Sequence, residues 1–379
     1  MISFSRPFVA RSAVTYVKES LNSIHQQGDG PFSDLASKLL AETLRTRSSI
    51  FLTPSCTDAL EMASILSEIR PGDEVIIPSY TFTSAATAIV NFGGVPVFAD
   101  IEEKSGCLDA TQLAGLITSR TKAISWVNYA GNTPNLDEIK RIGKLHGLAL
   151  IEDNAHGLGG SVNENQLGST GDIATNSFHA TKNIQCGEGG AAVINSKKLV
   201  ERAAVIREKG TNRRQYISGM AQKYQWIDKG SSFLLAESLA AVLYGNLQSF
   251  QEVQTNRLAT WNFYRLNLAS TLDSVGATIL CPNGLNIAHM FAFLMPDRKS
   301  RDRFIELMES VGIQVASHYE PLHTSVAGLR FGKSEFPLSV TESFSGRLVR
   351  LPLWSTDMSN IAEEIADKAT AALQASIQT

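Results

Sequence analysis

From Ser49 onward the chain alternates short β-rich runs with helix-length amphipathic segments, a pattern that few architectures accept. The runs are SSIFLT (48–53), EVIIPS (74–79), VPVFAD (95–100), AISWVNY (123–129), LALIEDN (148–154), ATNSFHA (174–180) and AAVIN (191–195). Between them, Asp58–Ile69, Ser84–Asn91, Asp109–Ile117 and Asn135–His146 place apolar residues three and four positions apart, the spacing of one helix face. Such alternation predicts an α/β fold with a mostly parallel, seven-stranded sheet covered by helices on both faces. A helix at about Ser12–Ile24, the sharp turn GDGPF and a helix at Ser33–Arg45 precede it. After about Leu247 the character changes to a long amphipathic helix, Gln251–Leu272, followed by short strands with a helix at Lys299–Val311 and a closing helix at Met358–Ser376. The expected organisation is therefore a large domain, 1–247, and a smaller α+β C-terminal domain, 248–379, closely joined because no Pro- or Gly-rich linker separates them.

A parallel sheet gathers its functional loops at the C-terminal tips of its strands. Lys182 stands at such a tip, where the polar loop Thr181–Gly190 leaves the run ending at Ala180. On local sequence alone a solvated loop lysine is the commoner reading. Asp153 changes the balance, because LALIEDN is a continuous apolar strand that delivers its last carboxylate to the same edge. A lysine and an end-of-strand aspartate suit pyridoxal phosphate, which needs an amine for its Schiff base and an acid partner for its ring nitrogen. The turn TPSCTDAL opens a helix whose free amides at Ser55, Cys56 and Thr57 suit a phosphate, with Asp58 expected to face away. PSYTFTS offers Tyr80 or Phe82 for stacking on a planar ring, and Ser177 offers a hydroxyl.

Composition narrows the partners. Thirty-four basic residues against thirty-seven acidic give a net charge of −3 and a pI near 6.2, with no general pull toward nucleic acid or acidic membranes. The 379 residues, 43% hydrophobic, suffice for two cores. Cys56, Cys107, Cys186 and Cys281 lie far apart in no metal-binding pattern, which predicts no metal and a reduced, cytoplasmic setting. The N-terminus lacks the apolar core of a signal peptide, and no run is long enough to span a membrane.

Taken together, PSCTDALEMA, PGDEVIIPSYTF, NYAG, EDNAH, SFHATKN, GEGGA, REKGTNR and HYEPLH, in this order over nearly the whole chain, resemble the DegT/DnrJ/EryC1/StrS sugar aminotransferases. These are fold type I, pyridoxal-phosphate-dependent proteins, and the likeness is greatest to the branch that aminates nucleotide-linked 4-keto-6-deoxyhexoses. The resemblance implies that Lys182 carries the cofactor as a Schiff base, Asp153 pairs with the pyridine nitrogen, Phe82 stacks on the ring, and Ser177 with the Cys56 and Thr57 amides holds the phosphate. It further implies a cytoplasmic homodimer with shared active sites, L-glutamate as amino donor and a nucleotide-linked sugar as acceptor. It places His318 and His323 near the substrate mouth. Arg213, in GTNRR, suits a carboxylate or diphosphate through its bidentate fork, and equally a surface salt bridge. His146 and His179 are expected to be structural.

The chain departs from the family pattern twice. Ser232, in GSSFLLAESLAA, stands where the family has an asparagine reaching the neighbouring subunit's phosphate, and His156 stands where it commonly has a glutamine bonded to the cofactor's phenolic oxygen. A histidine can donate that bond but also titrates near neutrality. Related pyridoxal-dependent sugar dehydratases replace the lysine with histidine, so Lys182 argues against that chemistry. A C3-aminating transaminase is the nearer alternative, while the charge balance and lack of a helix-turn-helix segment argue against a DNA-binding regulator.

Overall fold

The computed structural model describes the chain apart from residues 163–164, 282–286 and 378–379. Its large sheet is built from β1 (Ser49–Thr53), β2 (Glu74–Pro78), β3 (Val95–Ala99), β4 (Thr121–Val127) and β5 (Ala149–Asp153). After a small hairpin of β6 (Ser161–Val162) and β7 (Asn165–Gln166), β8 (Ile173–Ser177) and β9 (Gly190–Ile194) complete the central run. The order is β1-β9-β8-β5-β4-β2-β3, with β9 antiparallel to both its neighbours and the other pairs parallel. An eighth strand that the sequence reading lacks, β12 (Lys333–Ser334), adds in parallel to the edge at β3. Two polar residues carry no apolar alternation, so nothing local marks them as a strand; Lys333 is drawn in by the buried carboxylate of Glu74 at 3.1 Å.

Local chemistry accounts for the connecting helices. Ser55 caps the helix Cys56–Leu66 by accepting the Asp58 N–H at 3.0 Å, and Ala59, Leu60, Met62 and Ala63 bury its inner face. Asn135 caps Leu136–His146 in the same way, Asp137 and Glu138 occupy its first turn, and Gly147 ends it in the left-handed conformation at φ 64°.

The chain after Gln248 builds a second core. Helices Phe250–Ser274, Arg298–Ser310 and Ser359–Ser376 pack on a three-stranded antiparallel sheet of β10 (Thr278–Ile279), β11 (Phe291–Leu294) and β13 (Leu348–Leu351). Trp261, Tyr264, Phe291, Phe293, Phe304 and Ile365 fill its interior. Two segments cross the division expected at 247. Ile2 pairs with Ile313 and packs on the second core, while Leu322 and Leu338 pack in the core of the large sheet. Arg257, buried in the second unit, is satisfied by acceptors alone: Nε reaches Ala288 O at 2.7 Å, Nη1 reaches Leu353 O at 2.9 Å and Ser355 Oγ at 3.3 Å, and Nη2 reaches His289 O at 2.6 Å. Ser355 Oγ in turn donates to Asn183 O at 3.0 Å, beside Lys182.

Of the two adjacent carboxylates that end β5, Glu152 is a structural hub. Fully buried, it accepts from Asn128 Nδ2 at 2.8 Å, Gly168 N at 2.8 Å, Thr170 N at 2.7 Å and Gly171 N at 3.3 Å. Each donor orphaned in a dry interior costs about 1–3 kcal/mol, so Glu152→Ala is expected to lower unfolding stability by at least about 3 kcal/mol. Urea titration of the variant checks this, and a loss below about 1 kcal/mol would show that the network re-satisfies itself.

Candidate active site

The site lies where the C-terminal tips of β1, β2, β4, β5 and β8 converge. In register, Gly190 of β9 pairs with Thr53 on one side and Ser177 on the other. A Cβ on Gly190 would come within 2.4 Å of the Ser55 carbonyl and 2.5 Å of Cys56 N, so only glycine lets the start of helix Cys56–Leu66 lie over the strand end next to Ser177. First-turn amides have no partner within their own helix, which leaves those of Cys56 and Thr57 to face an anion. Asp58 is tied to the helix cap, its carboxylate accepting from Ser55 Oγ at 2.7 Å, and the Thr57 hydroxyl rests 2.7 Å from Ser84 Oγ.

Asp153 is only 6% exposed and its Oδ1 accepts the Ala155 N–H at 3.0 Å. Burial pushes its pKa up, opposed by that amide and by Lys182. No cation lies within 4 Å of it among the described residues. A dry carboxylate with spare acceptor capacity is the complement of a protonated ring nitrogen. Lys182 stands on a pinned loop: its N–H donates to His179 O at 2.9 Å, Ala180 N donates to Gly187 O at 2.8 Å, and Asn183 Oδ1 meets His289 Nδ1 at 3.1 Å. Burial lowers the Lys182 amine to about 8; Asp153 and Cys56 oppose the shift, and Arg350 adds to it. The free amine, the unpaired carboxylate and the helix-start amides fit the three ends of pyridoxal phosphate.

The wall facing these groups is aromatic. Of the two rings the sequence offers, Tyr80 is fully buried in a core with Tyr129 and Phe344, its hydroxyl bonded to His318 O. Phe82 is the free one, 59% exposed and 6.1 Å from the ring of Tyr319. His156 accepts the Ala130 N–H at 3.5 Å on Nδ1, so Nε2 carries the hydrogen and points toward Tyr319 Oη at 3.4 Å. It stacks on His289 at 4.2 Å and 17°. Burial first, then the nearby charge of Lys182, holds both rings well below the usual imidazole range. His156 is thus a neutral donor, able to replace a side-chain amide without adding a titrating charge.

His318 joins the same wall, with Nε2 2.6 Å from Tyr129 Oη and Nδ1 2.9 Å from Arg350 Nη1. His323 does not. Its Nδ1 is 2.7 Å from Ser79 Oγ and its Nε2 3.1 Å from Glu342, so both ring nitrogens are engaged in tying the segment after the strand tip of β2 to the helix Ser339–Arg347. Ser232 is exposed and bridges to Glu208. Arg213 lines a separate cleft of about 510 Å³ with His25, Asp29, Arg207 and Arg214. Within one protomer, neither Ser232 nor Arg213 belongs to the group around Lys182. His289, Tyr319 and Arg350 do, and sequence reasoning missed them. The one usable signal was a lone arginine inside the apolar strand LVRLPL.

Comparison with known proteins agrees with this arrangement. The profile of the DegT/DnrJ/EryC1/StrS aminotransferase family matches residues 9–370. The spore coat polysaccharide biosynthesis protein SpsC of Bacillus subtilis (strain 168) is 26% identical over 378 residues, covering 97% of this chain and 96% of its own. The aminotransferase TlmJ from Streptoalloteichus hindustanus superposes with a TM-score of 0.88 at 26% identity over 99% of both chains. DesV of S. venezuelae gives 0.84 at 27% identity, covering 96% of this chain and 94% of its own. The mostly parallel sheet with its second, smaller unit is the fold type I architecture of these enzymes, and pyridoxal phosphate is the cofactor of this family. With a buried lysine, an unpaired strand-end aspartate and an open helix start at the tips of that sheet, the chain belongs to the DegT/DnrJ/EryC1/StrS aminotransferase family and is a pyridoxal-phosphate-dependent sugar aminotransferase.

Proposed function

We propose that this aminotransferase moves the amino group of L-glutamate to C4 of a dTDP-linked 4-keto-6-deoxyhexose, yielding an amino sugar for a cell-surface polysaccharide such as a lipopolysaccharide O-antigen. The observation that carries the chemistry is the pairing of a depressed lysine amine with a buried, cation-free carboxylate, Lys182 and Asp153. The C4 and dTDP assignment rests on the likeness of SFHATKN, GEGGA and REKGTNR to the C4-aminating branch, whose nearest member is dTDP-4-amino-4,6-dideoxygalactose transaminase. The C3-aminating relatives carry a different loop after the lysine. SpsC, by its name, serves polysaccharide synthesis too.

Bound pyridoxal phosphate supplies an electron sink for the carbon being deprotonated. Cys56 and Thr57 amides with Ser177 would hold its phosphate, Phe82 would cover its ring, and His156 would donate to its phenolic oxygen. Asp153 would accept the ring N–H and so favour the protonated nitrogen. Lys182 would be the base that takes the proton from the donor's α-carbon and the acid that gives it back, and with the sugar it would run the same transfer in reverse. An amine near 8 suits the task, since about a fifth of it is unprotonated at pH 7.4 against roughly one part in a thousand for an ordinary lysine. The working unit in this reading is a two-fold dimer in which Ser232 and Arg213, idle in their own protomer, serve the site of the neighbour.

The holoenzyme is expected to be yellow, and Lys182→Ala to lose that absorbance and turnover together; a wild type left colourless by added pyridoxal phosphate would sink the assignment. In the cofactor-free protein, the pH dependence of Lys182 acylation, followed by peptide mass spectrometry, should show a midpoint near 8. Asp153→Asn should move that midpoint down, because the aspartate's charge is what raises it. NMR of the product is expected to place the new amine at C4, and sedimentation to show an active dimer. An amine at C3, or a fully active monomer, would refute the respective part.

A further inference from the structure

The residue after the lysine, Asn183, is held by the second unit at two atoms. Ser355 Oγ donates to its backbone carbonyl at 3.0 Å, and His289 Nδ1 lies 3.1 Å from its Oδ1. An amide oxygen can only accept, so the hydrogen of the neutral His289 ring stands on Nδ1 and the lone pair on Nε2. The same ring lies face to face on His156, with centroids 4.2 Å apart and planes 17° from parallel. Two contacts of one imidazole thus join the lysine's neighbour to a histidine that reaches the site from another loop.

Neither partner of Asn183 is free to drift. Arg257 donates to Ala288 O at 2.7 Å and to His289 O at 2.6 Å, and its Nη1 reaches Leu353 O at 2.9 Å and Ser355 Oγ at 3.3 Å. One buried guanidinium, carried by the helix Phe250–Ser274, therefore fixes the backbone of His289 and the hydroxyl of Ser355 together. Packing alone does not ask for a histidine at 289. Its neighbours Ile287, Ala288, Met290 and Phe291 are buried and apolar, and a phenyl ring would fill the same slot against His156 with no nitrogen to desolvate. The polar ring finds its match in Asn183. Ahead of the lysine the turn is tied by the Lys182 N–H to His179 O at 2.9 Å; behind it the ties are those of His289 and Ser355.

We propose that His289 is a positioning residue for Lys182: its Nδ1–H, through Asn183, sets where the lysine stands, while its ring holds His156 in the same register. A misplacement of about 1 Å at a reacting atom can cost roughly a hundredfold in rate, so a common anchor for the two groups has chemical value. The part concerning His156 rests on the reading that this histidine donates to the cofactor's phenolic oxygen.

Two variants separate the two contacts. His289→Asn keeps an N–H donor where Nδ1 stands and removes the ring; His289→Phe keeps the ring and removes the donor. Both are as neutral as the ring they replace, so the charged and titratable groups that face it, Lys182, Arg350, Arg257 and His318, are left as they were. The first readout is the rate at which the cofactor-free, full-length chain turns yellow with pyridoxal phosphate, as the Lys182 amine condenses with the aldehyde and water is released. The second is the pH midpoint of that absorbance in the holoenzyme, which a donor to the phenolic oxygen lowers by stabilising the oxygen's negative charge. In His289→Phe the condensation is expected to slow about tenfold, the scale of one buried hydrogen bond, with the midpoint unmoved. In His289→Asn it should stay within about threefold of wild type while the midpoint rises by about one pH unit. Asn183→Ala should slow condensation as His289→Phe does, and the double variant should be no slower than either. An additive double variant or an unchanged rate in His289→Phe overturns the proposal, as do equal losses in both variants on both readouts, which would mark the ring as filling space. If His156→Phe itself leaves the midpoint in place, the reading of His156 fails instead, and the condensation rates decide whether His289 positions the lysine.

Discussion

Taking the ammonium of Lys182 out of water is the constraint on which the site depends. Desolvation disfavours the charge, and only a nearby anion keeps the shift from running further. Asp153 supplies that charge, yet it sits beyond ion-pairing distance, so the two groups bias each other without neutralising each other. A close salt bridge would have locked the amine as a permanent cation and occupied the carboxylate. The separation leaves the amine free of a permanent ion pair and the carboxylate with acceptor capacity to spare. The sheet enforces it, because β5 and β8 are neighbours whose tips diverge into different loops, and hydrogen bonds from both units fix the lysine's own loop.

The readable part of this protein was the part made by a single strand and its following loop. LALIEDN announces a buried strand ending in acid, and SFHATKN places an amine at the next tip, because both facts are local in sequence. Local sequence did not say which of Glu152 and Asp153 would be spare. Alternation along a strand sends them to opposite faces, and only the fold shows that the first meets four donors. Tyr80 and Phe82 pose the same difficulty, one becoming core and the other staying open. His289 and Tyr319 could not be found by such reasoning, since they reach the site from the second unit and resemble ordinary loop residues where they stand, and only the lone arginine of LVRLPL gave a hint of Arg350. His323, expected near the substrate mouth, has both ring nitrogens engaged by Ser79 and Glu342, ties that its motif did not announce.

The two units are stitched at several points around the lysine. Asp100, past the tip of β3, accepts the N–H groups of Val340 at 3.1 Å and Thr341 at 2.7 Å, and Ser79 O accepts that of Leu322 at 2.9 Å. On the far side, Asn183 is bonded to both His289 and Ser355, and Arg257 anchors that pair to its own helix. Each tie involves a backbone or buried group that would be left unpaired if the units rocked apart. These ties hold the two units together around the lysine, beside the exposed ring of Phe82.

Gly190 offers no side chain to any substrate, yet the geometry of the phosphate cradle turns on what it lacks. The space its missing methyl would fill is already occupied by the backbone of Ser55 and Cys56, and backbone cannot rotate aside as a flexible side chain can. A saturation library at this codon should therefore behave like one at a catalytic residue, with no tolerated replacement, while a census of ligand contacts would pass it over entirely. The least chemically endowed position in the site is in this sense among its least negotiable.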